Sequence, residues 1–255
     1  KGTIQRVAGH YEEAITTIQK AKRLFSKHEN PKPDLIAHCM NSEAVCRATL
    51  NEFEKALVLL SEAIEVLNGS DEEYLYLKSL ITANLPLCGE AYGDRDKQIF
   101  AYQTAIQLHE KSGVNEPWNI ATWKSNIASV LTEKREFDDA LAVATEALSI
   151  REEIFGTKHI AYANSLKVVG NIKFSLGMVD DAINTLDSAL IIAQESIGAN
   201  HPELADFHMG YAHVLKFAGR KEEAYQHCDI AHTIDAKHFP SGHNRLKKYQ
   251  EFRDA

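Results

Sequence analysis

The residue types that could carry chemistry here are four cysteines, twelve histidines and several paired carboxylates. Cys39, Cys46, Cys88 and Cys228 contain no CxxC spacing, so neither a redox dithiol nor a zinc site is encoded by them. His208 with His213, and His227 with His232, are spaced i,i+5, which turns the two rings of each pair about 140° apart on a helix rather than onto one face. His159, His201 and His243 recur at one position beside short connections, where capping of a helix is the expected role. The doublets Glu12-Glu13, Asp138-Asp139, Asp180-Asp181 and Glu222-Glu223 each precede an alanine that starts an apolar pattern. Carboxylates in a first helical turn favour the positive end of the helix dipole, which accounts for them without catalysis. No GxxxxGK[ST], GxGxxG or HExxH is present. No nucleophile, base and orienting group recur together, so the expectation is a protein that is not an enzyme and that takes no metal or cofactor.

Composition narrows the class. The 255 residues are 44% hydrophobic and 25% charged, which excludes a disordered, collagenous or disulfide-stapled chain. A formal charge of −8 repels polyphosphate, so nucleic acid is not an expected partner. The one basic run, His238, His243, Arg245, Lys247, Lys248 and Arg253, reads as a solvated terminal helix. No segment has the about 18 to 20 consecutive apolar residues of a membrane helix, and the first residues lack the apolar core of a signal peptide. The expected setting is therefore soluble and cytoplasmic, away from membranes. With only 13 Gly and 6 Pro and abundant helix formers, the leading fold class is all-α.

The elements that would position any site follow from an internal period of 42 residues. One column is Ala14, Ala56, Gln98, Ala140, Ala182 and Ala224; another, seven residues later, is Ala21, Ala63, Ala105, Ala147, Ala189 and Ala231. Between them run Ile18, Leu60, Tyr102, Ala144, Leu186 and Cys228, and beyond them Leu24, Val66, Leu108, Ile150, Ile192 and Ile234. Steps of four, three and three residues make these columns one face of a helix, B. An earlier seam pairs the small column Gly2, Ala44, Pro86, Ala128, Gly170 and Ala212 with the apolar column Ile4, Cys46, Cys88, Val130, Ile172 and Val214, and defines a helix A. Small residues in A against alanines in B let the two axes approach closely, so each unit is an antiparallel helical hairpin. The four cysteines fall in these packing columns and are expected to be buried and free.

The connections agree. Gly9, Gly93, Gly177 and Gly219, with Asn51, occupy one column between A and B, where a residue must often take positive φ. Pro33 and Pro117 suit first helical turns, and Ser70 with Glu73 forms a capping box. Pro86 lies within a helix-A pattern running from Tyr74 to Tyr92 and predicts a kink that reshapes the neighbouring face.

A small residue in helix A followed by A-x3-apolar-x2-A in helix B resembles the tetratricopeptide repeat. Its length and the stretches ALSIREEIFGTKHIAYA (Ala147 to Ala163) and SIGANHPELA are similar to the longer kinesin light chain-like form. The resemblance implies a right-handed α-solenoid of six helix-turn-helix repeats plus a C-terminal capping helix, with A helices lining a concave groove and B helices forming the back. The repeats run approximately 1–30 (truncated), 31–70, 71–114, 115–156, 157–198 and 199–240, with the cap helix at 241–255, all in one solenoid. Residue 1 aligns inside a helix A, so the chain is expected to be a piece of a longer protein whose open N-terminal edge self-associates. The Asn pair usual in this form is approached only by SNIA (Ser125 to Ala128), and Gly210 stands where the chaperone-tail clamp of other family members needs an Asn beyond Lys167 and Asn171.

Function is expected on the face of helix A that turns away from helix B, where the columns vary between units instead of repeating. Asn84, Ser125, Asn126, Asn164, Lys167, Asn171, Phe174, His213 and Lys216 make the candidate set, with units four to six the most polar. Amides can satisfy the backbone of an extended peptide, and the lysines favour acidic side chains or a carboxylate. The expected function is a scaffold that binds a protein or peptide segment in the groove. The alternative is a regulatory arm packed on an attached enzyme or NTPase domain.

Overall fold

The computed structural model describes residues 11–68, 72–237 and 244–254, with the side chains of 244 and 245 left aside. All regular structure among the described residues is helical. The helices are α1 (Tyr11–Ser26), α2 (Pro33–Thr49), α3 (Phe53–Val66), α4 (Leu75–Thr82), a 3-10 segment (Leu85–Ala91), α5 (Arg95–Ser112), α6 (Pro117–Glu133), α7 (Phe137–Phe155), α8 (Ile160–Ser175), α9 (Val179–Ile197), α10 (Leu204–Phe217), α11 (Lys221–Ala236) and α12 (Asn244–Asp254). They form two compact units, residues 1–116 and 117–255. In each, consecutive helices pack as antiparallel hairpins.

The packing columns explain the hairpins. Ala14, Ala56, Ala140, Ala182 and Ala224, and Ala63, Ala105, Ala147, Ala189 and Ala231, are fully buried, as are the helix-A residues Ala128 and Ala212. Gly170 marks the closest approach: a Cβ built there would lie 2.7 Å from Leu186 Cγ and 2.9 Å from its Cδ2. Leu186 is itself buried between α8, α9 and their neighbours, so it has no room to retreat. The fourth helix-B column is less uniform than its apolar composition suggests. Ile234 is buried, but Val66 is exposed and Leu24 is 73% exposed, because both lie in the last turn or so of their helices, where the seam turns outward. Cys46, Cys88 and Cys228 are buried and Cys39 is half-buried; all four are free.

One turn recurs between A and B. At Asn51, Arg135, Gly177 and Gly219 the backbone takes positive φ (60°, 65°, 79° and 82°). At each, the next residue's N–H reaches back to a carbonyl five residues earlier: Glu52 to Arg47, Glu136 to Leu131, Met178 to Lys173 and Arg220 to Leu215, all at 2.9 Å. This is the Schellman arrangement, in which a left-handed residue satisfies the last carbonyls of a helix. Arg135 occupies the glycine column without a glycine. Gly93 stands apart, with φ 143°, because its helix A is broken.

That break corrects the expectation of a single kinked helix from Tyr74 to Tyr92. Helix α4 stops at Thr82, and Pro86 enters as the second residue of the 3-10 segment, where it lacks only a donor that the turn leaves unused. Gly89, with φ 55° and ψ −134°, then redirects the chain toward α5. Gly2, Ile4, Gly9, Ser70, His238 and His243, and with them the capping box and the first helix A, lie outside the described residues.

Gly170→Ala is expected to lower stability by about 1–3 kcal/mol, the usual cost of forcing a methyl into a filled core. Arg135→Gly, at an exposed position whose φ penalises an L-residue, is expected to raise it by about 1 kcal/mol. Urea unfolding of both variants beside the wild type measures the two signs.

Candidate functional site

Residues 117–255 carry the polar strip. Helices α6, α8, α10 and α12 each follow the helix-A pattern, and burial of Ala128, Gly170 and Ala212 against the B helices turns the opposite face of each outward. Packing of α12 on α11 and against α10 extends the series by one helix. Tyr249 donates to the buried Asp235, Cys228 Sγ lies 3.7 Å from the Tyr249 carbonyl, and Arg253 pairs with Asp229.

Between α8, α10 and α12 lies a cleft of about 670 Å³ lined by Phe174, Met209, His213, Lys216, Phe217, Lys248, Glu251 and Phe252. Phe174 meets Phe217 edge-on, with centroids 5.1 Å apart, and His213 meets Phe252 at 4.8 Å, also edge-on. Such pairs are favoured by the ring quadrupoles and hold the walls rigid. Lys216 lies over the Phe252 ring at 4.6 Å and donates to the Phe252 carbonyl, which α12 leaves free near its C-terminal end. Burial, with the Lys216 and Lys248 ammonium groups, pushes the pKa of His213 below its usual value, so its ring is neutral at pH 7. The cleft therefore offers an aromatic floor, two lysines against one glutamate, and a neutral imidazole.

The candidate residues separate clearly. Phe174, His213 and Lys216 come together in the cleft. Along α8, Asn171 is exposed and Lys167 stands 4.3 Å over the Phe207 ring. Burial lowers the Lys167 pKa, an effect opposed by Asp206 and Glu203. Asn164 donates to Glu203 Oε1 at 2.6 Å, so its amide is engaged within the fold. Asn126 is half-buried on α6. Ser125 is a correction: it is 7% exposed, and its hydroxyl donates to the Ala121 carbonyl, which removes it from the outward face. Asn84 belongs to the other unit, where its amide donates to Asn41 Oδ1 at 2.8 Å. Lys248, Glu251 and Phe252 were missed, although each continues a variable groove column by one further period of 42, from Asp206, Met209 and Gly210.

The histidines also sort by geometry. His159 caps α8, its ring accepting from the Ala161 N–H, and His201 accepts from Glu203 N–H in the equivalent loop. His208 and His227, which no single-helix spacing joins, meet across α10 and α11 with Nδ1 atoms 2.8 Å apart. Burial, and then the neighbouring His227, pushes His208 down to about 4. Burial also lowers His227, with Asp187 and Glu223 opposing and Arg220 adding to the shift. Among the described residues, no three His, Cys, Asp or Glu side chains gather as metal ligands would. The Cys88 thiol is raised to about 11 by burial, far from a nucleophile's range. No described helix is long and apolar enough to cross a membrane.

Stacked helical hairpins with a varied outward face make this an all-α helical-repeat fold. Comparison with known proteins shows what the chain is similar to: residues 119–190 match the tetratricopeptide repeat model. Over 68% of its length it is 27% identical to the protein Kinesin light chain-related 3 of Arabidopsis thaliana, of which it spans about a quarter (27%). BtubC (BKLC) from P. vanneervenii superposes with a TM-score of 0.73 at 24% identity, covering 89% of this chain and 91% of that one. The apo quorum sensor NprR from B. thuringiensis also gives 0.73, at 16% identity, over 99% of this chain and 67% of its own.

A His pair that stays neutral when folded makes stability depend on acid. Between pH 6.5 and about 4 the unfolded chain binds a proton at His208 that the folded chain refuses, so stability falls as pH falls through that window, by at most about 3 kcal/mol for this residue. Above pH 6.5 the contribution is complete. His208→Gln should flatten the fall of the urea midpoint between pH 7 and pH 4.

Proposed function

We propose that the outward face of residues 117–255 binds an extended peptide or protein segment, with its anchor in the cleft of α8, α10 and α12. The observation that supports this is the cleft itself, where an aromatic floor adjoins Lys216 and Lys248. An apolar side chain of the partner fills the space between Phe174, Met209 and Phe217. A neighbouring carboxylate is drawn by the lysines, which makes the partner acidic. Asn126 and Asn171 supply amides that can serve a peptide backbone, the use for which such side chains are suited.

The same reading extends to setting and assembly. Four free thiols suit a reducing compartment such as the cytoplasm. Leu24, exposed on α1, supports self-association through the first helix, and light scattering that shows a strict monomer at high concentration would remove that part.

Affinity capture from a cell extract, beside a folded triple variant, tests the groove. Asn126→Ala, Lys167→Glu and Asn171→Ala together are expected to weaken a captured partner about tenfold or more while the circular dichroism is unchanged. Equal retention by both proteins would refute the groove.

A further inference from the structure

Glu43 brings a carboxyl group to a core position. In the same repeat column stand Leu85, Ile127, Val169 and Tyr211, all buried, and Glu43 sits at the same depth with 2% exposure. A carboxylate so placed must be satisfied by other groups. Three donors do this, and all three use one oxygen. Gln19 Nε2 of α1 at 2.8 Å, Arg47 Nε at 2.9 Å and Arg47 Nη2 at 2.7 Å converge on Oε1. Arg47 Nη1 turns instead to Glu52 Oε2, and Lys55 Nζ holds the other Glu52 oxygen at 2.6 Å. Among the described residues no donor reaches Glu43 Oε2.

The side chain that carries this oxygen lines a cavity of about 350 Å³, together with Arg47 of α2 and with Glu54, Lys55, Val58 and Leu59 of α3. Leu59 is buried and Val58 is 55% exposed, so the apolar part of the lining runs from the core to solvent. Glu54 is exposed at the start of α3. Three carboxylates, Glu43, Glu52 and Glu54, stand against two cations, Arg47 and Lys55, which leaves one negative charge in excess. None of the lining residues belongs to the variable groove columns. Four of the six are on a helix B, and all lie in the unit of residues 1–116.

We propose that this cavity binds a primary alkylammonium group, and that its occupant is the side chain of a lysine on a protein partner. The aliphatic stem lies along Val58 and Leu59, the ammonium donates to Glu43 Oε2, and Glu54 at the rim completes the charge. A guanidinium suits the site less well. Its fork needs both oxygens of one carboxylate, and Oε1 of Glu43 already carries three donors, whereas an ammonium is a point donor that needs only Oε2. One charge in excess matches one ammonium, so a free diamine would overfill it. The inference does not rest on the groove reading, because the two sites share no residue.

The test is a methyl NMR titration of the whole chain, read at Val58 and Leu59, with four probes: Nα-acetyl-lysine amide, the norleucine and arginine counterparts, and putrescine. In the wild type the lysine amide is expected to move both sets of methyl signals in the millimolar range. Norleucine has a similar apolar stem without the charge, and should bind about tenfold more weakly or worse; arginine should bind about threefold more weakly. Glu43→Gln keeps an acceptor for Gln19 and Arg47 but removes the charge, and should abolish the preference for lysine over norleucine. Glu54→Lys, at an exposed position that the fold does not depend on, should abolish the lysine response, and decides the matter if Glu43→Gln fails to fold. Equal responses to lysine and norleucine, a lysine preference that survives both substitutions, or no movement of these methyls with any probe overturns the site. Arginine binding as well as lysine overturns the choice of ammonium. Putrescine binding more tightly than the lysine amide assigns the cavity to a free diamine and overturns the protein-borne occupant.

Discussion

The close approach of helix A to helix B is the constraint from which the rest follows. At Gly170 there is no space for a methyl group beside Leu186, and at Ala128 and Ala212 the one methyl present is fully buried. Once an axis separation is set by side chains this small, each helix A must present a fixed stripe to its B partner, and the angular position of every other residue on it is determined. The groove face is what remains of the helix after that stripe has been assigned. Its residues vary from unit to unit because the contact between helix A and its B partner does not fix them. The turns obey the same geometry: a hairpin this tight returns the chain through one left-handed residue, and Arg135 accepts that conformation where Gly177 and Gly219 take it without strain.

Polar groups inside the repeats mark the places where this economy is relaxed. His208 and His227 share a hydrogen bond between α10 and α11, in an interior otherwise filled by Phe207, Leu215 and Val214, and burial keeps them neutral. Lys167 remains near Asp206 and Glu203, so its desolvation is partly compensated within the fold. Arg151 instead rests on the hydroxyls of Ser165 and Thr122.

Much of the fold was legible because alanine and glycine columns leave no ambiguity about period. A spacing of 42 places helices, turns and the buried seam together, and even the histidine caps follow from the shared position of His159 and His201. What was not legible needed three dimensions. A proline in a helical pattern could bend or break the helix; Gly89 at positive φ decides for a break, and that depends on how the chain reaches α5. Ser125 shares a column with Lys167 and Met209, yet its short hydroxyl folds back on the Ala121 carbonyl, whereas Lys167 reaches over the Phe207 ring and Met209 lines the cleft. The His208–His227 contact crosses two helices, and no spacing within either one announces it. Arg151 reads in sequence as one more polar residue near the end of a helix, because its reach to Ser165 and Thr122 on two neighbouring helices is a property of space.

The cleft shows how a repeat array acquires a site. Helix α12 repeats the helix-A register, so Lys248, Glu251 and Phe252 enter the same outward columns as Asp206, Met209 and Gly210. In α10 the last of these positions is glycine and contributes no side chain; in α12 it is phenylalanine, and its ring closes the cleft against His213 and Lys216. Lys216 then serves two ends at once, binding the carbonyl that a helix terminus leaves free and keeping its charge at the mouth of an aromatic pocket. Capping a terminal helix and furnishing a binding wall are therefore one arrangement here, since the group that satisfies the end of α12 is the group that confronts a ligand.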